Sequence, residues 1–140
     1  MPFYPHPAAT YSTPANPTVI TSVKMAGLAG AITPLQTGRI FVVISGTMFG
    51  TSANATTTNT LAYGTGTAPA NQAASTGTVA GGIATMVTSV TDGANQKTPF
   101  VIHAIITGLT VGTAYWLDLQ SASSAGNSTL SDIAITAIEV

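Results

Sequence analysis

The chain has 140 residues, of which 5% are charged and 45% hydrophobic, and its formal net charge is −1. That length supplies one hydrophobic core rather than two, and the charge leaves no positive field to hold a phosphate backbone or an anionic membrane, so neither nucleic acid nor membrane is an expected partner. The absence of cysteine excludes disulfide staples and thiolate metal sites, leaving packing or oligomerisation as the source of stability.

Residues 1–18 carry prolines at 2, 5, 7, 14 and 17, a density that removes backbone donors and predicts an extended arm without a ladder of its own. Neither this segment nor any later one has the basic and apolar runs of a secretion signal or the length of a bilayer span, so a soluble chain is expected. Phe3, Tyr4 and Tyr11 stand out in the arm. Large apolar rings gain nothing in a solvated linker, which makes these three the candidate anchors on a neighbouring surface. The alternative is a disordered leader with incidental aromatics.

From Val19 onward, short apolar runs separated by Gly, Thr, Ser and Asn predict strands at 19–25, 39–45, 58–64, 79–90, 99–107, 113–120 and 131–139. Seven or eight such strands in residues 19–140 suggest an all-β sandwich. Residues 26–34 are rich in alanine but hold two glycines and Pro34, which argues for a loop or an irregular edge strand. Residues 39–45 and 133–138 are apolar on both alternating faces, so each is expected to be buried against the core and against a second subunit. In the competing reading, the loops at 47–57 or 64–78 cover the second face of a monomer.

In Tyr115-Trp116-Leu117-Asp118-Leu119, Tyr115, Leu117 and Leu119 share one face of a strand and Trp116 and Asp118 the other. A single Trp in an apolar strand fills a core or a subunit seam more often than it stacks on a sugar. Asp118 is expected near the sheet surface or paired with one of the few bases, holding a loop.

The chemical inventory points away from catalysis. His6 lies in the arm and His103 inside an apolar strand, so no local histidine pair serves a metal or a proton relay. Asp92, Asp118, Asp132 and Glu139 are scattered, without the poised pair of a glycoside hydrolase. Gly64-Thr65-Gly66-Thr67-Ala68-Pro69 lacks the Lys and the helix of a phosphate cradle, and Asp92-Gly93-Ala94-Asn95 reads as a tight hairpin rather than a calcium loop. No cofactor is expected. The tripeptides at Asn54 and Asn127 match the glycosylation pattern, which matters only in a secretory compartment.

Three segments taken together, residues 38–46, 63–69 and 108–119, with the ending Ala137-Ile138-Glu139, resemble small virion proteins of tailed phages and prophages. Those are decoration or fibre-type proteins with a jelly roll similar to the trimeric heads of C1q and tumour necrosis factor. The resemblance implies a homotrimer with a shared threefold seam, for which Tyr115, Trp116, Ile133, Ile135 and Ile138 are the candidate interface residues. In place of a collagen-like or coiled-coil stalk the chain has its short arm, so the expected partners are the major capsid protein or neighbouring virion subunits. The expected location is the outer surface of the capsid, after synthesis in the host cytoplasm. Two alternatives stand beside this one: a receptor- or carbohydrate-binding tip that presents the Thr- and Asn-rich loops 47–60 and 64–78, and a small cellular β-sandwich adaptor.

Overall fold

The computed structural model describes residues 6–87 and 97–140. Phe3, Tyr4 and the expected hairpin at Asp92-Gly93-Ala94-Asn95 lie outside the described residues. Within them the strands are β1 (Ala9–Ser12), β2 (Thr18–Val19), β3 (Lys24–Met25), β4 (Gly30–Ile32), β5 (Ile40–Gly50), β6 (Thr56–Thr65), β7 (Thr78–Val87), β8 (Thr98–Ile106), β9 (Tyr115–Ser123) and β10 (Ser128–Glu139). They form two antiparallel sheets. The first has the order β1-β10-β5-β8, with β2 also on β10; the second has the order β3-β9-β6-β7, with β4 also on β9. The fold is an all-β sandwich.

Alternation along the strands builds the core. Ile40, Val42 and Ile44 of β5, Ile102, Ala104 and Ile106 of β8, and Ile135 and Ala137 of β10 point inward from the first sheet, and Leu61, Leu117 and Leu119 meet them from the second. Strand β10 changes parity partway along. Its pairing with β5 shifts between Ser131 and Ala134, and Asp132 takes a left-handed φ of 53°. One extra residue in this β-bulge lets Leu130 and then Ile133 and Ile135 all face inward.

The arm is not free of ladder structure. The window between Pro7 and Pro14 has its backbone donors, and β1 uses them to pair with β10 from Ala9↔Ile138 to Ser12↔Ile135, while β2 pairs further along at Thr18↔Thr129. Residues 13–17 stand opposite residues 130–134. β1 and β2 are therefore two ends of one edge strand, interrupted where Pro14 and Pro17 remove ladder donors.

The 26–34 segment has the same logic. β3 pairs Met25 with Gln120 and β4 pairs Gly30 with Leu117, so four residues, 26–29, stand opposite only two, 118 and 119. The surplus forms a bulge with left-handed Gly27 and Ala29, an irregular edge strand. Strand β5 runs on to Gly50 and β6 starts at Thr56, so the expected 47–57 loop shrinks to a short turn.

Candidate interaction surface

Asp118 sits opposite the 26–29 bulge, fully buried. Its Oδ1 accepts from the Leu28 amide at 2.9 Å and the Leu119 amide at 2.8 Å, and its Oδ2 accepts from the Gly27 amide at 3.0 Å. The expectation of a surface or ion-paired Asp118 is thus corrected. The orphan donors of a bulge, with no ladder partners, are what draw the carboxylate inward. Burial pushes its carboxyl above the ordinary value, against the opposing pull of the Leu28, Leu119 and Gly27 amides.

Glu139 does the same work at the C-terminal end of β10. Its Oε1 accepts from the amides of Gln36 at 2.7 Å, Thr37 at 2.6 Å and Gly38 at 3.3 Å, and its Oε2 accepts from Leu35 at 2.9 Å and Ala8 at 3.1 Å. Burial would push this carboxyl up, but the amides of Leu35, Thr37, Ala8 and Gln36 outweigh it and hold the group at about 2. Asp132 accepts from the Thr47 hydroxyl at 3.0 Å and pairs with Lys97 at 3.4 Å; the Thr47 bond first, and then Lys97, hold it below the ordinary carboxylate value. These three carboxylates are each occupied by structural hydrogen bonds. Among the described residues no three His, Asp or Glu side chains gather as a metal site.

Trp116 lies under residues 66–77 in a second, smaller core with Met25, Ala62, Ala68 and Ala73. Its ring is 6% exposed and its Nε1 donates to the Thr65 carbonyl at 3.1 Å. It presents no stacking platform. Asn71 donates from its side-chain amide to the Ala26 carbonyl at 2.9 Å, and Gln72 donates to the Thr18 carbonyl. Asn59 is buried and accepts from the Ser121 hydroxyl at 2.5 Å. Three side-chain amides of the segments 47–60 and 64–78, Asn59, Asn71 and Gln72, thus hydrogen-bond within the chain.

The other interface candidates separate along β10. Ile133 and Ile135, 2% and 1% exposed, are in the chain's own core, placed there by the Asp132 bulge; Ile138 is exposed. Tyr115 is half-buried, with its ring tilted against Tyr63 at 6.3 Å and its hydroxyl accepting from the Thr110 amide at 3.0 Å. Tyr11 is exposed on β1.

The pairing register assembles the outward-facing residues of the first sheet into rows. Ile105, Phe41, Ile138 and Ala9 form one row, His103, Val43, Thr136 and Tyr11 the next, and Val101, Ser45 and Ala134 a third. Tyr11, Val101, Ile105 and Ile138 are 69%, 62%, 53% and 41% exposed, so neither long loop covers this face. With strands about 4.8 Å apart, the patch is on the order of 400 Å², the size of the largest apolar patch on a typical monomer, which is often functional. Charge is confined to its ends, Arg39 at one and the Lys97–Asp132 pair at the other. His103 lies inside it, its ring 6.3 Å from that of Phe41. A groove of about 220 Å³ between β7 and β8, lined by Gly82, Ile83, Val101, Ile102 and His103, borders the patch; it is smaller than a typical small-molecule site.

No protein-family model matches the chain, and neither does any curated protein.

Sequence reasoning did not single out Phe41, Val43, Val101 and Ile105. The signal was present in the two-sided apolar pattern of residues 39–45, but which alternate set faces outward depends on the register.

Proposed function

We propose that this chain is a non-enzymatic structural protein of a virion, a decoration protein that assembles as a homotrimer and binds the assembled capsid shell. The apolar outer face of the β1-β10-β5-β8 sheet carries the proposal. An uncovered patch of Phe, Tyr, Ile and Val, uncharged but for its rim, suits permanent burial against another subunit. The trimer and the virion rest on the sequence resemblance, in which each subunit contributes one face to a threefold seam.

A jelly roll is the finer form of the sandwich that this reading requires. In its favour, the chain pairs as a nested ribbon: β6 with β7, β5 with β8, β9 with β3 and β4, and β10 with β1 and β2. A long hairpin folded over on itself produces that nesting. Phe3, Tyr4 and Tyr11 are the proposed contacts to the major capsid protein, with the trimer seated on the outer surface of the shell. Each bound trimer adds binding free energy to the assembled state and cross-links its neighbours.

The test is deletion of the coding sequence from the phage or prophage that carries it. Particles are expected to assemble, adsorb normally and release their DNA at a lower temperature than the parent. Particles of undiminished thermal stability that fail to adsorb would overturn decoration in favour of a receptor-binding tip.

A further inference from the structure

The arm is attached by a different kind of contact from the rest of the chain. Ala9, Thr10 and Tyr11 of β1 are exposed, and only Ala8, half-buried, packs against the core. Apolar burial therefore contributes little to holding β1 in place. What holds it is the four-residue ladder to β10 and a reciprocal pair of bonds at Ala8. The Ala8 amide donates to Glu139 Oε2 at 3.1 Å, and the Glu139 amide donates to the Ala8 carbonyl at 2.7 Å. On the far side, Pro14 and Pro17 interrupt the edge strand before β2, whose Val19 is buried in the core.

We propose that residues 6–12 form a detachable strap latched by the Glu139 carboxylate, closed along the edge of β10 in the free subunit and able to leave as a unit while β2 stays in place. Segments with few buried apolar contacts open at a small fraction of the global unfolding free energy, and the interrupted ladder at residues 13–17 marks where this opening stops. The latch is asymmetric. When the strap leaves, Glu139 keeps the amides of Leu35, Gln36, Thr37 and Gly38, so the 35–38 segment remains ordered. The carboxylate serves the strap and that segment together, whereas the Ala8 amide serves the strap alone. A released strap carries Tyr11 away from the edge of β10. This device follows from the geometry of one chain and goes beyond the virion reading; it stands or falls separately from it.

Hydrogen exchange read by mass spectrometry on the full chain tests it, comparing the wild type with Ala8→Pro and Glu139→Gln. Ala8→Pro removes the strap's own donor and leaves Glu139 with its four other amides. It is expected to speed exchange in residues 9–12 about tenfold and leave residues 35–38 and β5 unchanged. Glu139→Gln is expected to speed both segments together. The proposal is overturned if Ala8→Pro loosens β2 and β5 as much as residues 9–12, or if Glu139→Gln leaves residues 9–12 at the wild-type rate. Should Glu139→Gln unfold the whole sandwich, the Ala8→Pro comparison decides alone.

Discussion

Replacing Gly77 by Ala is expected to cost about 2–5 kcal/mol, because the added methyl collides with the Trp116 ring and the substitution forces a left-handed backbone on a residue with a side chain. Gly77 has φ +88°, and a Cβ built there lies 2.3 Å from the Trp116 ring and 2.7 Å from the Tyr63 carbonyl oxygen. Gly64 faces the same ring, with a Cβ position 2.5 Å from it. The two glycines leave the space that Trp116 occupies. Trp116→Ala empties that space and is expected to cost about 3–5 kcal/mol. Urea unfolding followed by far-ultraviolet circular dichroism gives both values. The double variant is the sharper check, since with the ring gone the added methyl meets only the Tyr63 carbonyl and its own backbone strain. Gly77→Ala should therefore cost less in the Trp116→Ala background. An equal cost in both backgrounds would show that the ring and the glycine are not coupled.

The second large effect is on acid stability, and it follows from Glu139. Its carboxyl is held at about 2 in the folded chain, against about 4.3 for a glutamate in an unfolded one. A group depressed on folding stabilises the native state above its unfolded value. That contribution is fully present at neutral pH, declines below about pH 4.3 and is gone once the pH has fallen through about 2. Asp132, also lowered, acts in the same direction. Asp118, raised by burial, acts in the opposite one: its share falls as pH rises through the window above its ordinary value. Glu139→Gln removes the ionisable group and one of the two acceptor oxygens that now serve five amides. Urea midpoints measured from pH 7 to pH 2 are expected to show the variant well below wild type at neutral pH, with the two converging toward pH 2. A gap that stays constant across that range would mean that ionisation of Glu139 contributes nothing to stability.

The strand content was legible because period-two alternation survives in a chain with so few charges. Residues 39–45 read correctly as a strand apolar on both faces, and the outer face they predicted is uncovered in the structure. What could not be read was which β10 residues belong to that face. In residues 133–138 alternation separates Ile133 and Ile135 from Ile138, but which set faces inward depends on the extra residue at Asp132, which shifts the parity of this stretch relative to Leu130. Asp118 was misplaced for a related reason, since the amides that bury it belong to Gly27 and Leu28, about ninety residues away. Proline density hid the strand in the arm. The spacing of the prolines, not their number, leaves room for β1.

The strap and the outer face meet at Tyr11, which lies in the same row as His103, Val43 and Thr136. Opening the strap takes one aromatic residue out of the apolar patch and leaves Phe41, Val43, Val101, Ile105 and Ile138 in place. The proposed arm attachment and the proposed subunit association therefore use largely separate residues. A variant that weakens one leaves the residues of the other in position.

The central claim is that the outer face of the β1-β10-β5-β8 sheet is buried between copies of this chain. Light scattering coupled to size exclusion, run on the wild type and on Ile105→Lys, tests it most directly. The account predicts a wild-type mass of three chains and a single-chain mass for Ile105→Lys with its circular dichroism unchanged, because Ile105 is exposed in the isolated subunit, where a Lys stays in water, whereas burying its unpaired charge between subunits is costly. A wild type that elutes as one chain at all concentrations, or an Ile105→Lys protein that remains trimeric, would contradict it.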